Sequence, residues 1–402
     1  MATEVVEVEG HIIDSLILAK VLDAILDAGA EYRIVDVEIG RASTDTSRAR
    51  IEVQGPEDVL ATLITELQLH GANRVEDADA RLEQSELDGV LPEGFYSTTN
   101  LATQVRLAGH WTDVENPEMD CAIVVRDDGP ARTAPMHRVR AGDKVVVGLD
   151  GVRVQPMERP RGANPFEFMA SEVSSEKPKE LLVGEVAERI RLAKDAGRKV
   201  LAVCGPAVIH TGAGPDLARL VRGGWVDVLF AGNGFATHDI ESNVLGTSLG
   251  VLLKEGRPVE HGHFNHLRVI NEVRRRGSIA AAVEDGYIPG GVMYECVQRD
   301  VPFVLGGSVR DDGPLPDVYS DVVEAADAMR AFVPGVRVAL MLASTLHAIA
   351  TGNLLPAGVE TFVVDINQAV VTKLADRGSH QALGIVTDAG LFLAILADQL
   401  CN

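Results

Sequence analysis

Cysteine is scarce and scattered. The 402-residue chain has four, Cys121, Cys204, Cys296 and Cys401, and no CxxC pair. That excludes a disulfide framework and a thiolate zinc site, and it points to a reducing compartment such as the cytoplasm. Basic charge is in deficit, with 37 Lys and Arg against 59 Asp and Glu, a formal net charge of −22. A nucleic-acid partner needs a basic surface, so none is expected. An acidic surface keeps a chain soluble and attracts small cations. Long apolar runs are missing too. The longest, around 336–355, is interrupted by Arg337, His347 and Asn353, so no membrane span is expected. Met1-Ala2-Thr3-Glu4 offers neither a basic nor an apolar leader region, so no signal peptide is expected.

What is present is an ordinary folding composition, 46% apolar and 24% charged. The length allows two or three domains. Residues 5–75 read as strand, helix, strand, strand, helix, strand. Val5–Val8 is extended, and helical spacing runs from Ile12 to Leu26, ending at Gly29. Tyr32–Ile39 and Ala49–Val53 alternate as half-buried strands do. Pro56 opens a helix to about Leu69, and Ala72–Val75 is a last short strand. This order predicts a ferredoxin- or ACT-like α+β unit over 1–76. A small β-rich unit is expected over 77–160, with strands at Cys121–Val125 and Lys144–Val147. A linker is expected over 161–177.

From about residue 178 the pattern changes. Six short apolar runs each end in Gly, Ser, Asn or Asp: Val200–Val203, Val226–Phe230, Phe303–Leu305, Val338–Leu342, Phe362–Val364 and Leu383–Val386. Strands buried on both faces read this way, and helix-length spacers make them parallel. The expected fold over 178–402 is α/β, a doubly wound parallel sheet. Such sheets bind ligands at the carboxyl ends of their strands, and the polar groups sit there. The half-chain therefore reads as a nucleotide-binding enzyme domain.

Several stretches at those ends carry chemistry. Gly232-Asn233-Gly234-Phe235-Ala236-Thr237 approaches a dinucleotide fingerprint, but Thr237 replaces the third glycine. It is either a close-approach loop for phosphate or a simple tight turn. Asp365 ends a strand, where a carboxylate can hold a ribose diol or cap the next helix. Gly306 to Pro314 joins bare backbone to Ser308, Arg310, Asp311 and Asp312, and adjacent acids call for a cation nearby. Ser344-Thr345-Leu346-His347 opens a helix whose amides suit an anion, and His347 is either functional or a buried structural histidine. His238, Asp239 and Glu241 offer acid–base groups, or Asp239 and Glu241 complement a helix N-terminus. Three histidines, 261, 263 and 266, lack the partners of a zinc site, so no metal is expected. Cys204 reads as a small packed residue more than a nucleophile.

The motifs recur together. Cys204-Gly205-Pro206-Ala207 with His210-Thr211-Gly212, Gly232-Asn233, His238 to Glu241, Gly307 to Asp317, Val364 to Asn367, Gly384 to Asp388, and Gly94 to Asn100 form a set spanning nearly the whole chain. The set resembles the LOR/SDH family, whose archaeal members, like the back half of the cyanobacterial arginine dihydrolase fusion, are NAD-dependent ornithine cyclodeaminases. The resemblance implies a Rossmann-type, deoxyhypusine-synthase-like domain. It implies NAD contacts at Asn233, Gly234, Asp312, Ser344, Thr345, Leu346, His347, Asp365, Ile385, Val386 and Asp388. Gly234 departs from the alanine common in relatives, without expected harm. These 402 residues hold no arginine dihydrolase domain ahead of the motifs, so arginine is not an expected substrate.

The implied reaction converts L-ornithine to L-proline and ammonia by hydride transfer to and from bound NAD. Glu241, Asp239, Asp311 or Asp388 would hold the ammonium groups and Arg310 the carboxylate. Asp388, Asp239 and His347 are the candidate bases. Alternatives are an NAD-dependent amino-acid dehydrogenase, a deoxyhypusine-synthase-like transferase, which lacks a lysine at the strand ends, and a non-catalytic NAD and amino-acid sensor. A homo-oligomer is expected from that fold's relatives.

Overall fold

The computed structural model describes residues 2–13, 16–41, 45–75, 78–126, 130–155, 173–174, 179–248, 251–252, 264–311, 313–376 and 382–401. It divides into two compact units, Met1–Phe168 with Leu355–Gly358, and Met169–Leu354 with Val359–Asn402.

The first unit begins with β1 (Ala2–Gly10), α1 (Ile17–Asp27), β2 (Glu31–Glu38), β3 (Ser47–Gly55), α2 (Glu57–Leu69) and β4 (Asn73–Arg74). The sheet order β2-β3-β1-β4 is antiparallel, as a ferredoxin-like unit requires. Alternate side chains of β3 (Ala49, Ile51, Val53) meet Val21 and Ile25 of α1 and Leu60, Leu63 and Ile64 of α2 in one apolar cluster. β2 departs from its alternating pattern: all eight of its residues are exposed, because it is the sheet's outer strand. Helix α1 starts later than its spacing predicts, since Leu16 adopts a left-handed φ of 58° just before it. The unit continues through β5 (Arg81–Gln84), β6 (Thr103–Leu107), β7 (His110–Asp113), β8 (Ala122–Val125), β9 (Arg132–Ala134), β10 (Lys144–Val147) and β11 (Val152–Val154). These form two antiparallel sheets, β5-β10-β8-β9 and β11-β6-β7.

The second unit holds β12 (Val173–Ser174), α3 (Lys179–Asp195), β13 (Lys199–Cys204), α4 (Ala207–His210), α5 (Gly214–Arg222), β14 (Val228–Gly232) and α6 (Asn233–Leu245). Then come β15 (Thr247–Ser248), β16 (Val251–Leu252), α7 (Asn265–Arg276), α8 (Ile279–Glu284), α9 (Val292–Gln298), β17 (Phe303–Gly306), β18 (Val318–Tyr319) and α10 (Val322–Phe332). The chain ends with β19 (Val336–Leu342), α11 (Leu346–Leu354), β20 (Glu360–Asp365), α12 (Gln368–Asp376), β21 (Ala382–Val386) and α13 (Ala389–Cys401). All six expected strands are present in one eight-stranded parallel sheet, ordered β12-β21-β20-β19-β13-β14-β17-β18. The two strands not expected are both two residues long. One of them, β12, falls inside the stretch read as a linker, the rest of which lies outside the described residues. The strands are apolar because helices cover both faces. Val200 to Cys204 and Val338 to Leu342 are all at most 2% exposed.

Among the described residues, no helix is long and apolar enough to cross a membrane.

Candidate active site

The chain leaves β13 in one direction to build β14, β17 and β18, then returns to β19 on its other flank. This reversal between β13 and β19 opens a crevice at the carboxyl edge, where open α/β sheets take their ligands. Gly205 and Ala343 mark its floor. A Cβ on Gly205 would lie 1.8 Å from the Ala343 carbonyl oxygen, so only glycine fits. Ala343 itself sits at φ 45°, a left-handed conformation rarely taken by a residue with a side chain.

His347, on the first turn of α11, reaches across this floor. A Cβ on Gly232 would stand 2.9 Å from its Cε1, and one on Gly306 would stand 3.0 Å from its Nε2. The two glycines at the ends of β14 and β17 therefore make room for one imidazole from β19's side. Burial lowers the His347 pKa, with Asp311 pulling the other way. Next to it, Ser344 is buried, while Thr345 and Leu346 are exposed.

Asn233 opens α6 and is nearly buried. Its Oδ1 accepts from the Leu315 amide at 3.0 Å and from Thr237 Oγ1 at 3.3 Å, tying the loop after β17 to the helix start. Thr237, in the place of a fingerprint glycine, thus has a partner. Gly234 has room to spare, since a Cβ there would only touch Pro206 Cγ at 3.4 Å. In the loop itself, Asp311 Oδ2 accepts from the Ser308 amide at 2.8 Å, and Ser308 Oγ accepts from the Arg310 amide at 3.2 Å. Arg310 is exposed and Asp311 half-buried. Asp312 lies outside the described residues.

Asp365 ends β20, half-buried, with Oδ1 accepting from the Asn367 amide at 2.8 Å. The cap of α12 comes from Asn367, whose Oδ1 accepts from the Ala369 amide at 3.0 Å. The capping alternative for Asp365 is thereby filled by another residue. On β21, Ile385 is buried and Val386 half-buried; just after it, the buried Thr387 Oγ1 has no hydrogen-bond partner among the described residues. An orphaned hydroxyl at a strand's carboxyl end is what a polar ligand would satisfy. Asp388 caps α13, its Oδ1 accepting from the Leu391 amide at 3.0 Å.

Asp239 sits elsewhere in its helix's surroundings than a base would. It is fully buried, and both carboxylate oxygens are taken by the first turn of α9, Val292 N to Oδ1 at 3.0 Å and Met293 N to Oδ2 at 2.8 Å. Burial pushes its pKa up to about 6, the two amides opposing. This geometry gives Asp239 a packing role in place of the expected catalytic one.

Glu241, one turn from His238 on α6, is also fully buried but lies in a polar chain. His238 Nδ1 donates to its Oε2 at 2.9 Å, Thr247 Oγ1 donates to its Oε1 at 2.8 Å, and Asn265 Nδ2 donates to Thr247 Oγ1 at 2.9 Å. The His210 ring packs edge-on against His238 with centroids 4.7 Å apart, and His210 Nδ1 pairs with Ser248 Oγ at 2.7 Å. Sequence spacing brings only His238 and Glu241 together. His210, Ser248 and Asn265 join them by tertiary packing, and the only hint was their proximity to glycine-rich turns. Cys204 is fully buried, and burial raises its thiol pKa far out of the nucleophilic range. Among the described residues, no group of three or more His, Cys, Asp or Glu is placed to hold a metal ion. His261 and His263 lie outside them.

These features gather at the carboxyl ends of one sheet's strands: glycine backbone at three strand ends, the starts of α6 and α11, a strand-end carboxylate and a buried hydroxyl. A family profile described as arginine dihydrolase ArgZ-like, C-terminal, Rossmann fold, matches residues 184–396. The profile for the first region of that C-terminal part matches 102–183, and the LOR/SDH bifunctional enzyme conserved region matches 3–101. The ornithine cyclodeaminase of Methanopyrus kandleri is 53% identical over 400 residues, 99% of this chain and 97% of that protein. The apo crystal structure of cyanobacterial ArgZ, an arginine dihydrolase, superposes with a TM-score of 0.86 at 40% identity, covering 99% of this chain and 58% of that one. The ternary complex of AgrE with ornithine and NAD+, a Nostoc protein, matches with a TM-score of 0.54 at 44% identity, covering 99% of this chain and 57% of that one. The chain therefore belongs to the ArgZ-like LOR/SDH family, in which a Rossmann domain follows the conserved LOR/SDH region.

Proposed function

We propose that this protein is an NAD-dependent ornithine cyclodeaminase that converts L-ornithine to L-proline and ammonia. The observation that carries the reading is the crevice at the β13–β19 switch point. Gly205, Gly232 and Gly306 let Ala343 and His347 close over the strand ends, Asp365 ends β20, and the buried Thr387 hydroxyl follows β21. Asp365 would hold a ribose diol. The amides opening α6, at Asn233 and Gly234, and the start of α11, Ser344 to His347, would face the pyrophosphate. Ile385 and Val386 on β21 would pack beside the cofactor, with Asp312 as a further contact. NAD supplies hydride abstraction from the substrate's α-carbon and its return to the cyclic imine.

The protein's own groups orient and neutralise. Ornithine brings two ammonium groups and one carboxylate. Asp311 and Asp388 would meet the cations, and the exposed Arg310 the carboxylate. The Asp388 Oδ1 that caps α13 is spoken for, which leaves Oδ2 to a substrate. A net charge of −22 draws a cationic substrate inward. Four scattered cysteines, three of them buried, fit a cytoplasmic enzyme. The active form is a homo-oligomer, supported by the apolar exposure of β2 in the first unit.

The test is incubation with α-¹⁵N-ornithine and NAD⁺, followed by NMR. Labelled ammonium together with unlabelled proline is the expected result. No proline at any pH between 6 and 10 (a span covering the amine and imidazole range) would end the proposal.

A further inference from the structure

We infer that His238, held by Glu241, carries the proton in this reaction. Its Nε2 takes a proton from the substrate's α-ammonium and returns it to the same nitrogen as that nitrogen departs. The inference rests on the ornithine reading above. It deepens it by assigning the proton to one of the acid–base groups of the His238–Glu241 stretch.

The argument is geometric. Because a carboxylate only accepts, the 2.9 Å contact with Glu241 Oε2 fixes the proton of His238 on Nδ1. Nε2 is then the basic end. Glu241 is itself oriented by Thr247, and Thr247 by Asn265, so the base stands on three successive hydrogen bonds. A base held by an orienting carboxylate is the arrangement proton transfer needs. The helices that bear the two packed rings, α4 with His210 and α6 with His238, start at the carboxyl ends of β13 and β14. A buried carboxylate at 0% exposure is costly unless a charge or hydrogen bonds repay it, and here its partner is an imidazole that can become cationic.

Among the described residues, charged or titratable groups reach His238 from three elements. Glu241 shares its helix, α4 presents His210, and α7 presents His266, with ring centroids 6.3 Å away. β15 adds only the hydroxyls of Thr247 and Ser248. Burial and the neighbouring His238 lower the His210 pKa, with Glu241 opposing.

The proton balance closes. An N–H bond of the α-ammonium breaks and an Nε2–H bond forms. The lone pair released on nitrogen assists departure of hydride from Cα to the bound oxidised nicotinamide. The δ-ammonium gives one proton to water and the resulting amine closes the ring; the Nε2 proton then passes to the α-nitrogen, the C–N bond breaks and ammonia leaves. A second proton shed by the δ-nitrogen ends on that ammonia as ammonium. Hydride returned to the ring carbon and a proton from water on the ring nitrogen complete L-proline, so no outside oxidant or reductant is consumed.

The experiment uses the full chain with NAD. It measures kcat against pH by proline formation, and NAD affinity by fluorescence titration. His238→Gln should lower kcat at least about 100-fold and remove the acid limb, with NAD affinity unchanged. Glu241→Gln, which keeps a hydrogen-bonding oxygen for Thr247, should lower kcat less and move the acid limb to lower pH, since the imidazolium loses its counter-charge. A His238→Gln protein with wild-type turnover and an intact acid limb overturns the inference while leaving the ornithine reading standing. Should His238→Gln fail to fold, an unmoved limb in Glu241→Gln overturns it as well. Absence of proline from the wild-type protein sinks the ornithine reading and this inference with it.

Discussion

Acidic side chains close together in sequence have different duties here. Asp239 and Glu241 are two residues apart on α6 and both fully buried, yet one closes the start of α9 and the other holds an imidazole. The backbone decides for Asp239. Gly291, just before α9, has φ 105°, and any Cβ there would fall within 2.8–2.9 Å of both Asp239 oxygens. Replacing Asp239 with Asn leaves one oxygen for two amides and turns an NH₂ towards the other. A buried donor without an acceptor costs about 1–3 kcal/mol. Asp239→Asn should therefore lower the unfolding free energy by that amount, read from denaturant titration, while its folded fraction keeps the wild-type pH profile. A folded variant with a displaced profile would restore Asp239 to the chemistry.

At the scale of elements, the crevice depends on how closely two strand ends approach. β13 and β19 are hydrogen-bonded neighbours, and Gly205 N also donates to the Leu342 carbonyl at 2.9 Å. Gly205→Ala must push Ala343 away, since no rotamer relieves a backbone clash. Overpacking of this kind costs about 1–3 kcal/mol, and here it also displaces the turn that presents Ser344 to His347. Thermal melts should show lower stability, and titration should show weaker NAD binding. Gly234→Ala is the matched control. Its Cβ would meet only Pro206 Cγ at 3.4 Å, and alanine favours helix by up to about 1 kcal/mol. Equal losses in both variants would show that glycine count, not the strand crossing, sets the site.

At the scale of the molecule, β2 is the element least content on its own. Tyr32, Ile34, Val35, Val37 and Ile39 are 36–64% exposed, and the strand pairs on one side only, with β3. Tyr32, Ile34 and Val37 lie opposite Val53, Ile51 and Ala49, so they continue the buried face of the sheet into solvent. An exposed apolar edge strand is a site of pairing or of aggregation, and natural chains cover it. Ile34→Lys with Val37→Lys should reduce the mass measured by light scattering to that of one 42.9 kDa chain, with the fold retained by circular dichroism. An unchanged mass would locate the contact elsewhere.

Sequence by itself determined the elements. Six apolar runs became six parallel strands, because burial on both faces leaves no alternation to misread, and the βαββαβ order of residues 5–75 was legible from helical and alternating spacing. It missed β12 and β18, since two residues carry no periodicity. It also misjudged β2, because alternation reveals a strand's faces and not whether anything covers them. At the candidate site, it marked the strand ends but not what stands between them. That His347 fills the space over Gly232 and Gly306, that Asp239 binds α9, and that His210, Ser248 and Asn265 gather around His238 and Glu241 were decided by tertiary structure alone. The reason is distance along the chain. Local spacing fixes neighbours three or four residues apart on a helix, whereas a side chain's duty is set by backbone amides and rings that arrive from tens of residues away.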